Sequence, residues 1–395
     1  QATQGNSARL MFINPVDYDF AFPVAEKIIT DPAGMVRALA GIAKALLETS
    51  GQHLPAEFAK LLATVHPTPT ERDIAQQLKD TQAAVLLGNL AQAHPQFSML
   101  NALASRIAEL SGARFGHLPE AANSVGGWIA GALPHREAAG KAVAASGLDA
   151  HAMLTKGLKA YVLFGIEAEY DSANPAAALK SLHNAEFVVA LSAFNSKTME
   201  DYADVLLPIG AFAETSGTFV NAEGRWQSFA GAVSPVGEAR PGWKVLRVLG
   251  NLFAVNGFDY LSSEEVRDEV RSLIDQSGSQ TPAGSSPAEL PLSTDALTRI
   301  ADVPMYAMDG LVRRAQGLQE TGESQDATLR INAASARRAG LSAGQFAQAR
   351  QGEARALLAV EIDERVADGC VLIAAALPKS AGLGPAFGPI TVERA

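Results

Sequence analysis

The polar side chains with the clearest spacing for chemistry lie between residues 201 and 227, where the sequence is DYADVLLPIGAFAETSGTFVNAEGRWQ. A predicted strand ends at Pro208 and leads into a polar loop that glycines interrupt. In open α/β sheets, ligands bind in the crevice beyond the carboxyl ends of the strands, so this loop is well placed to bind a polar ligand. Its candidate binding residues are Glu214, Gly217, Thr218, Asn221, Glu223 and Arg225.

The same residues also have a purely structural interpretation. Buried polar groups are usually hydrogen-bonded, so these side chains could satisfy one another and the backbone within a hairpin that binds nothing. The residue types alone leave both interpretations open.

Other residues that often do chemistry lack the required spacing. The seven histidines show no H-x-H or H-E-x-x-H pattern, so we predict no metal site and expect mostly surface or loop histidines. His94 could line a crevice, although a turn residue is the simpler interpretation.

The single cysteine, Cys370, excludes a disulfide within the chain or an iron–sulfur cluster held by this chain alone, and its apolar neighbours favour a buried structural thiol. The nucleophile-elbow, phosphate-loop and dinucleotide glycine motifs are absent from the sequence.

Composition and charge exclude several classes of protein. The chain has 395 residues, of which 48% are hydrophobic and 19% charged, as is typical of a globular protein of two or three domains. Its formal net charge of -10 repels phosphate backbones, so we expect no nucleic-acid partner. No apolar run approaches the roughly 20 residues that cross a bilayer, so we expect no direct membrane span. Because the first residues resemble neither a translation start nor a signal peptide, we interpret the chain as a piece of a longer one.

The elements around the candidate loop predict an α/β fold. Short apolar runs alternate with amphipathic stretches to about residue 255, which is typical of parallel strands with helical crossovers. Asp31 before Pro32 predicts a helix start, and the runs 83–88 and 160–165 predict buried strands. We assign a first α/β block to residues 1–155, and a second, which contains the 214–227 loop, to residues 156–276.

The composition changes after residue 276. Nine of the eleven residues 277–287 are Ser, Gly, Thr or Pro, and acidic residues continue to 324, so we predict a linker over 277–324 that is mobile or lies across a neighbouring subunit. Short strands at regular spacing then predict a small C-terminal β-barrel domain over 325–395.

Several motifs resemble those of the molybdopterin oxidoreductase superfamily and occur along the chain in the same order as in that family. The pattern A-D-V-L-L-P followed by E-x-x-G-T-F-V-N-x-E-G-R-x-Q is similar to the large subunits of formate dehydrogenase and dimethyl sulfoxide reductase. Residues 14–20, 118–125, 185–191 and 240–251 resemble the C-terminal half of the large iron–sulfur subunit of bacterial NADH:quinone oxidoreductase, respiratory complex I. The resemblance implies Rossmann-like parallel-sheet blocks and a double-psi-like C-terminal barrel.

The resemblance also implies a function. In the family, a cysteine-rich N-terminal half that this chain lacks binds [2Fe-2S] and [4Fe-4S] clusters, so we expect no cofactor, metal ligand or catalytic residue on this segment. It would be a non-catalytic scaffold that supports electron transfer from NADH to quinone, coupled to proton translocation. The implied partners are the flavin-bearing and iron–sulfur subunits of the peripheral arm, at the cytoplasmic face of the bacterial inner membrane. The six loop residues, which lie beside a pterin in catalytic relatives, would be a retained structural network.

Two other functions remain open from the sequence. The chain could be the C-terminal part of a catalytic molybdopterin oxidoreductase such as formate dehydrogenase, whose loop binds its cofactor. It could also be a freestanding nucleotide-binding module, which would fold and bind a nucleotide without other chains.

Overall fold

The chain forms two α/β blocks followed by a barrel-like sheet in this computed structural model. The structure describes residues 8–51, 55–80, 82–277, 290, 296–322, 324 and 326–395. Within these ranges, no helix combines the length and the apolar character that a bilayer span requires.

The first block consists of helices packed on two short parallel strand pairs. Its strands, β1 paired with β2 and β3 with β4, are β1 (Met11–Asn14), β2 (Glu26–Ile29), β3 (Ala84–Leu87) and β4 (Arg114–His117). Its helices are α1 (Pro32–Ser50), α2 (Ala56–Leu62), α3 (Pro69–Asp80), α4 (Asn89–Gln92) and α5 (Phe97–Ser111). Two further helices before residue 156, α6 (Ser124–Ile129) and α7 (Ala150–Thr155), contact Gly217–Val220 and Pro175–His183 of the second block, respectively.

Helix α1 shows how the sequence sets local structure. The Asp31 side chain accepts a hydrogen bond from the Gly34 N–H, and Pro32 occupies the first turn, where its missing N–H costs nothing. Gly51 ends the helix with a left-handed φ of 65°. The predicted helix is confirmed, and its apolar face packs against α3 and α5 in the core of the block.

The strand predicted over 83–88 exists as β3, but the prediction that it is buried is wrong in part. Leu86 is 52% exposed, whereas Leu87 is buried. Because successive side chains of a strand point to opposite faces, the exposure of Leu86 shows that one face of the β3–β4 pair is open among the described residues.

The second block contains a three-stranded parallel sheet and a hairpin. The sheet has the order β5 (Ala160–Phe164), β6 (Phe187–Ser192) and β7 (Val205–Pro208), and the hairpin comprises β8 (Gly217–Val220) and β9 (Trp226–Phe229). Its helices are α8 (Ala168–Asp171), α9 (Pro175–His183), α10 (Lys197–Tyr202), α11 (Gly242–Leu252) and α12 (Ser263–Ser277).

Side chains in β5 alternate between the two faces of this sheet. Tyr161 and Leu163 are buried in a core with α8, α9 and α10, while Val162 on the opposite face is 63% exposed. The prediction of a buried strand over 160–165 is therefore wrong for one face, because the described helices cover only the other.

The third unit is a nearly closed sheet of seven strands. Their order is β15-β10-β14-β11-β13-β12-β16. The strands are β10 (Thr298–Ile300), β11 (Leu329–Ile331), β12 (Phe346–Gln351), β13 (Ala354–Ile362), β14 (Cys370–Leu372), β15 (Gly388–Pro389) and β16 (Thr391–Arg394). Its helices are α13 (Gly310–Arg313), α14 (Gln316–Gln319) and α15 (Ala333–Arg338). The predicted fold class, parallel-sheet α/β blocks with a barrel-like domain, is thus confirmed.

The structure places regular elements inside the predicted 277–324 linker. Strand β10 pairs with β14 and β15, so the barrel sheet begins before residue 325, and α13 and α14 follow. A three-residue strand is too short to show an alternating pattern, which is why the sequence does not reveal it. Most of the Ser/Gly/Pro-rich part, residues 278–289 and 291–295, lies outside the described residues.

Cys370 lies in the barrel core and is fully buried. Burial raises the pKa of its thiol to about 12, so the thiolate that a nucleophile or a metal ligand requires is disfavoured. This environment agrees with the prediction of a structural thiol.

An ion-pair cluster joins the first block to the barrel. Asp363 accepts hydrogen bonds from Arg365, at 2.9 Å to Nε and 3.1 Å to Nη2, and also pairs with Arg330. Arg365 reaches Asp19 of the first block at 3.0 Å. Burial opposes the ionisation of Asp363, but the bonds from Arg365 and Arg330 outweigh it and lower the pKa to about 2.

We expect the stabilisation from Asp363 to depend on pH. The unfolded carboxyl binds a proton near its ordinary pKa of 3.8, before the folded one does, so this stabilisation is present above about pH 4 and is lost as the pH falls from 3.8 to about 2. Asp363→Asn should lower the free energy of unfolding by about 1–2 kcal/mol at pH 7 and flatten the decline below pH 4. Urea unfolding at several pH values measures both effects. Asp259→Asn, at an exposed site, is the control, and a variant as acid-sensitive as the parent would contradict the assignment.

Candidate functional site

The predicted site loop forms the β8–β9 hairpin beyond the carboxyl end of β7. The two strands pair antiparallel, from Gly217 opposite Phe229 to Val220 opposite Trp226. Gly224 turns the chain between them with φ of 78°, a left-handed conformation that glycine adopts without strain. The structural interpretation of a hairpin therefore describes the backbone correctly.

Two of the predicted site residues form bonds at the base of the hairpin. Glu214 Oε2 accepts a hydrogen bond of 2.8 Å from the Ala211 N–H and so closes the turn that precedes β8. The hydroxyl groups of Thr218 and Ser228 are 2.9 Å apart across the two strands. Both side chains are thus used by the hairpin itself.

The other polar candidates lie at the tip of the hairpin. Asn221 Oδ1 accepts hydrogen bonds from the N–H groups of Glu223, at 3.0 Å, and Arg225, at 2.9 Å. The side chains of Glu223 and Arg225 are 75% and 72% exposed and form a long ion pair of 3.8 Å. An exposed pair of this kind stabilises a protein by about 0–1 kcal/mol, so these two side chains contribute little to the hairpin.

Gly217, the remaining candidate, has a packing role. A Cβ at this position would lie 3.0 Å from Cζ of Phe229, which is closer than such atoms normally approach. The Phe229 ring in turn contacts Phe212 and Phe219, with ring centroids 5.0 Å and 5.1 Å away. Gly217 thus allows an aromatic cluster to form under the hairpin.

The hairpin is anchored to distant parts of the chain. Asn123 Oδ1 accepts a hydrogen bond of 2.8 Å from the Val220 N–H, which joins the 118–125 motif to the 214–227 loop. On the α12 side, the hydroxyl groups of Ser216 and Ser263 are 2.9 Å apart. Sequence analysis did not assign a role to Asn123, although the motif that contains it was recognised.

We expect Asn123→Ala to loosen the hairpin, because the Val220 N–H loses its partner in a buried position. The free energy of unfolding should fall by about 1–2 kcal/mol, and amide exchange at Val220 should accelerate. Asn123→Asp keeps the acceptor oxygen and serves as the matched control. Unchanged exchange at Val220 in the alanine variant would show that this bond does not anchor the hairpin.

The crevice beyond β5 and β6 contains a charged cluster that the sequence analysis did not single out. Glu167, three residues after β5, is 5% exposed and pairs with Arg313 and Arg314. Burial opposes its ionisation, but Arg314 and Arg313 outweigh it and lower the pKa of Glu167. Nearby, burial raises the pKa of Glu169. Two features of the sequence could have revealed this cluster. Acidic residues directly follow a predicted strand, and two arginines, 313 and 314, are adjacent.

His94 is a buried structural residue rather than a crevice residue. Its Nδ1 accepts a hydrogen bond of 2.9 Å from the Gln96 N–H, and its Nε2 lies 3.0 Å from the Pro32 carbonyl oxygen. The bonding pattern assigns the proton to Nε2 of a neutral ring, and burial lowers the pKa of His94. The described part of the chain also contains no group of three His, Cys, Asp or Glu side chains that could hold a metal ion.

Comparison with known protein families identifies the class of protein. A model of the family described as molybdopterin oxidoreductase matches residues 41–252, which is more than half of the chain. The chain therefore belongs to the molybdopterin oxidoreductase family, as the motifs predicted.

Curated relatives match shorter segments. The chain is 36% identical over 95 residues to a putative formate dehydrogenase of Staphylococcus aureus, and 35% identical over 98 residues to the F420-dependent formate dehydrogenase subunit alpha of Methanocaldococcus jannaschii. It is 40% identical over 72 residues to the mitochondrial NADH-ubiquinone oxidoreductase 78 kDa subunit of Candida albicans. These segments are 18–25% of this chain and 9–14% of the relatives.

Among solved structures, acetylene hydratase from Pelobacter acetylenicus has a similar fold. The TM-score is 0.66 at 15% sequence identity, and the alignment covers 99% of this chain and 74% of that one. At this identity the likeness concerns the fold alone.

The pterin cofactor that the family implies does not fit the described residues around the hairpin. The side-chain acceptors of Glu214, Thr218 and Asn221 are bound within the hairpin. At the end of β5, Glu167 and Asp171 pair with Arg314 and Arg313, so these guanidinium groups are already bound to carboxylates and are not free to bind a phosphate-bearing ligand. We therefore assign no reaction step to such a group.

Proposed function

We propose that this chain is the non-catalytic scaffold part of the large iron–sulfur subunit in the peripheral arm of NADH:quinone oxidoreductase, respiratory complex I. Its blocks hold neighbouring electron carriers in position, because packed α/β domains position attached sites rigidly. The polypeptide as a whole supports electron transfer from NADH to quinone, coupled to proton translocation.

The observation that carries this proposal is that three polar side chains of the loop, those of Glu214, Thr218 and Asn221, form their hydrogen bonds within the loop itself. In a ligand-binding loop, some of these groups would point away from one another and towards the ligand. Here Glu214 and Asn221 bind backbone N–H groups, and Thr218 binds its cross-strand neighbour. The likeness to the NADH-ubiquinone oxidoreductase 78 kDa subunit supports the choice of complex within the family.

The proposal includes cofactors and partners outside this chain. The [2Fe-2S] and [4Fe-4S] clusters would lie in a preceding, cysteine-rich part of the same polypeptide, since Cys370 alone cannot hold one. The partners are the flavin-bearing and iron–sulfur subunits of the peripheral arm. The location is the cytoplasmic face of the bacterial inner membrane.

The formate dehydrogenase relatives favour a second candidate, the C-terminal part of a catalytic molybdopterin oxidoreductase. Metal and pterin analysis of the full-length protein from its native source separates the two. The scaffold proposal predicts flavin and iron with co-purifying subunits, reduction of ferricyanide by NADH, and molybdenum and tungsten far below stoichiometric amounts. Stoichiometric molybdenum or tungsten with pterin would replace the scaffold proposal by the catalytic one.

The third function, a freestanding nucleotide-binding module, remains a prediction from the sequence. It requires the 395-residue chain to bind a nucleotide without other chains. Calorimetric titration with common nucleotides tests it, and the scaffold proposal predicts no heat of binding.

A further inference from the structure

Helix α13 occupies the crevice beyond the carboxyl ends of β5 and β6, where open α/β sheets bind their ligands. A Cβ on Gly310 would lie 3.2 Å from Cδ2 of Phe194, which follows β6, and 3.4 Å from Oε2 of Glu167, which follows β5. The first residue of α13 therefore contacts groups from both strand ends. The chain itself fills this part of the crevice.

Two adjacent arginines attach α13 to the second block. Arg314 forms a two-pronged pair with Glu167, in which Nη1 is 3.0 Å from Oε2 and Nη2 binds Oε1. Arg313 donates to Asp171 Oδ1 from both Nη atoms at 2.9 Å, and its Nη2 lies 3.1 Å from Glu167 Oε2. Guanidinium groups form the same kind of paired contact with phosphates, so the carboxylates occupy positions suited to a bound anion.

Aromatic rings also hold both guanidinium groups. The Arg313 guanidinium lies over the Tyr170 ring at 4.9 Å from its centroid, and that of Arg314 lies over Phe194 at 4.7 Å. The Arg313 side chain is 11% exposed. Because such contacts strengthen when a cation is shielded from water, the two arginines are fixed in the crevice by charge and by stacking.

The charges in this cluster balance. Two guanidinium groups, of Arg313 and Arg314, face two carboxylates, of Glu167 and Asp171. No net positive charge remains to attract an anion. Neutralising the two carboxylates would leave two stacked guanidinium groups at the end of a parallel sheet, which is a favourable arrangement for a phosphate group.

We propose that Glu167 and Asp171 act as built-in anions that hold Arg313 and Arg314 in this crevice and thereby close it to phosphate-bearing cofactors. The inference rests on the proposed function and extends it, because it names the residues that exclude such a cofactor. It also explains how residues 305–319, which lie between the barrel strands β10 and β11, are attached to the second block.

The test uses the full-length protein and inorganic pyrophosphate as the anionic probe. The Glu167→Gln/Asp171→Asn variant frees both guanidinium groups. We expect pyrophosphate to bind this variant about tenfold or more tightly than the parent protein in calorimetric titration. Amide hydrogen exchange over residues 305–319 should become about tenfold faster. Glu186→Gln, which removes an exposed partner of Lys159, is the matched control and should change neither quantity.

Each outcome decides the proposal. Tighter pyrophosphate binding with faster exchange in the double variant supports it. Equal binding by variant and parent overturns it, whether or not the exchange changes, because the carboxylates would then not be what excludes the anion. If the double variant does not fold, Asp171→Asn alone is measured, and an intermediate increase in both quantities is expected; no increase overturns the proposal.

The inference and the proposed function fail in different ways. Stoichiometric molybdenum and pterin in the full-length protein would contradict the scaffold function. A molybdenum-free protein whose double variant binds pyrophosphate no better than the parent would leave that function in place and contradict only the role of Glu167 and Asp171.

Discussion

Replacing Arg299 with alanine is expected to lower the free energy of unfolding of the barrel by about 3–5 kcal/mol. Arg299, in β10, is 2% exposed. Its guanidinium donates hydrogen bonds to Gln351 Oε1 at 3.1 Å, to the Gly384 carbonyl at 3.0 Å and to the Ile373 carbonyl at 3.3 Å. Burial lowers its pKa to about 10, so the side chain remains charged at neutral pH.

The large effect arises from what the alanine leaves behind. Three buried oxygen acceptors lose their donor, at about 1–3 kcal/mol for each one left unsatisfied, and a cavity forms where the long side chain was. Gln351 also donates to the Pro385 carbonyl at 3.1 Å, so the loss should spread to the loop that precedes β15.

Two further variants show how much of the stability loss comes from the volume of the Arg299 side chain and how much from its polar contacts. Arg299→Met also removes the buried charge but fills most of the space, so it should cost less than Arg299→Ala, because it leaves a smaller cavity beside the same unpaired acceptors. Arg355→Ala, at an exposed position of β13, should change the stability by less than about 0.5 kcal/mol. Urea unfolding of the three variants measures the differences. Equal losses for Arg299→Ala and Arg355→Ala would contradict a role of Arg299 in holding the barrel together.

Leu103→Ala is expected to have the largest effect in the first block, a loss of about 2–5 kcal/mol. Leu103 lies on α5, is completely buried, and belongs to the core that α5 forms with α1 and α3. Removing its side chain forfeits buried apolar contacts and leaves a cavity between helices that cannot close fully.

Leu86→Ala is the matched control, because Leu86 belongs to the same block but is 52% exposed on β3. This substitution should cost less than about 1 kcal/mol. Thermal or urea unfolding, followed by a probe in the first block, provides the comparison. A loss at Leu86 as large as that at Leu103 would contradict the exposure of this strand face.

Many local elements were predictable because their signals lie within a few residues. Asp31 caps α1, and Asn174 before Pro175 caps α9, as their sequence patterns indicate. Ser262 accepts a hydrogen bond from the Glu265 N–H at the start of α12, as the capping-box pattern predicts. These bonds depend on short-range geometry alone, so a linear pattern is sufficient to reveal them.

The predicted exposure of side chains was less accurate, because burial does not depend on short-range geometry alone. An apolar stripe identifies a helix, but what covers that stripe depends on distant segments. In α11, the spacing of Trp243, Leu246, Leu249 and Phe253 predicts one apolar helix face that is buried. Phe253 instead directly follows the helix and is 77% exposed. The prediction of the helix is confirmed, and the prediction of burial at Phe253 is wrong.

In the candidate site, too, local features were predictable from the sequence and distant partners were not. The hairpin and its six residues were recognisable from the 214–227 pattern, and so was the possibility that they bind one another. Their partner Asn123 lies 97 positions from Val220, and the Arg314 partner Glu167 lies 147 positions away. No local pattern specifies such pairs.

Patterns in the amino-acid sequence were sufficient to predict the family, the alternation of strands and helices, the caps of several helices and the hairpin as one of two interpretations of the 214–227 loop. The three-dimensional fold was needed to show that β10 joins the barrel, that Arg299 is buried with neutral partners, and that Arg313 and Arg314 fill the crevice beyond β5 and β6. The reason is that capping and periodicity act over a few residues, whereas strand pairing, burial and ion pairing depend on which distant segments the complete fold brings together.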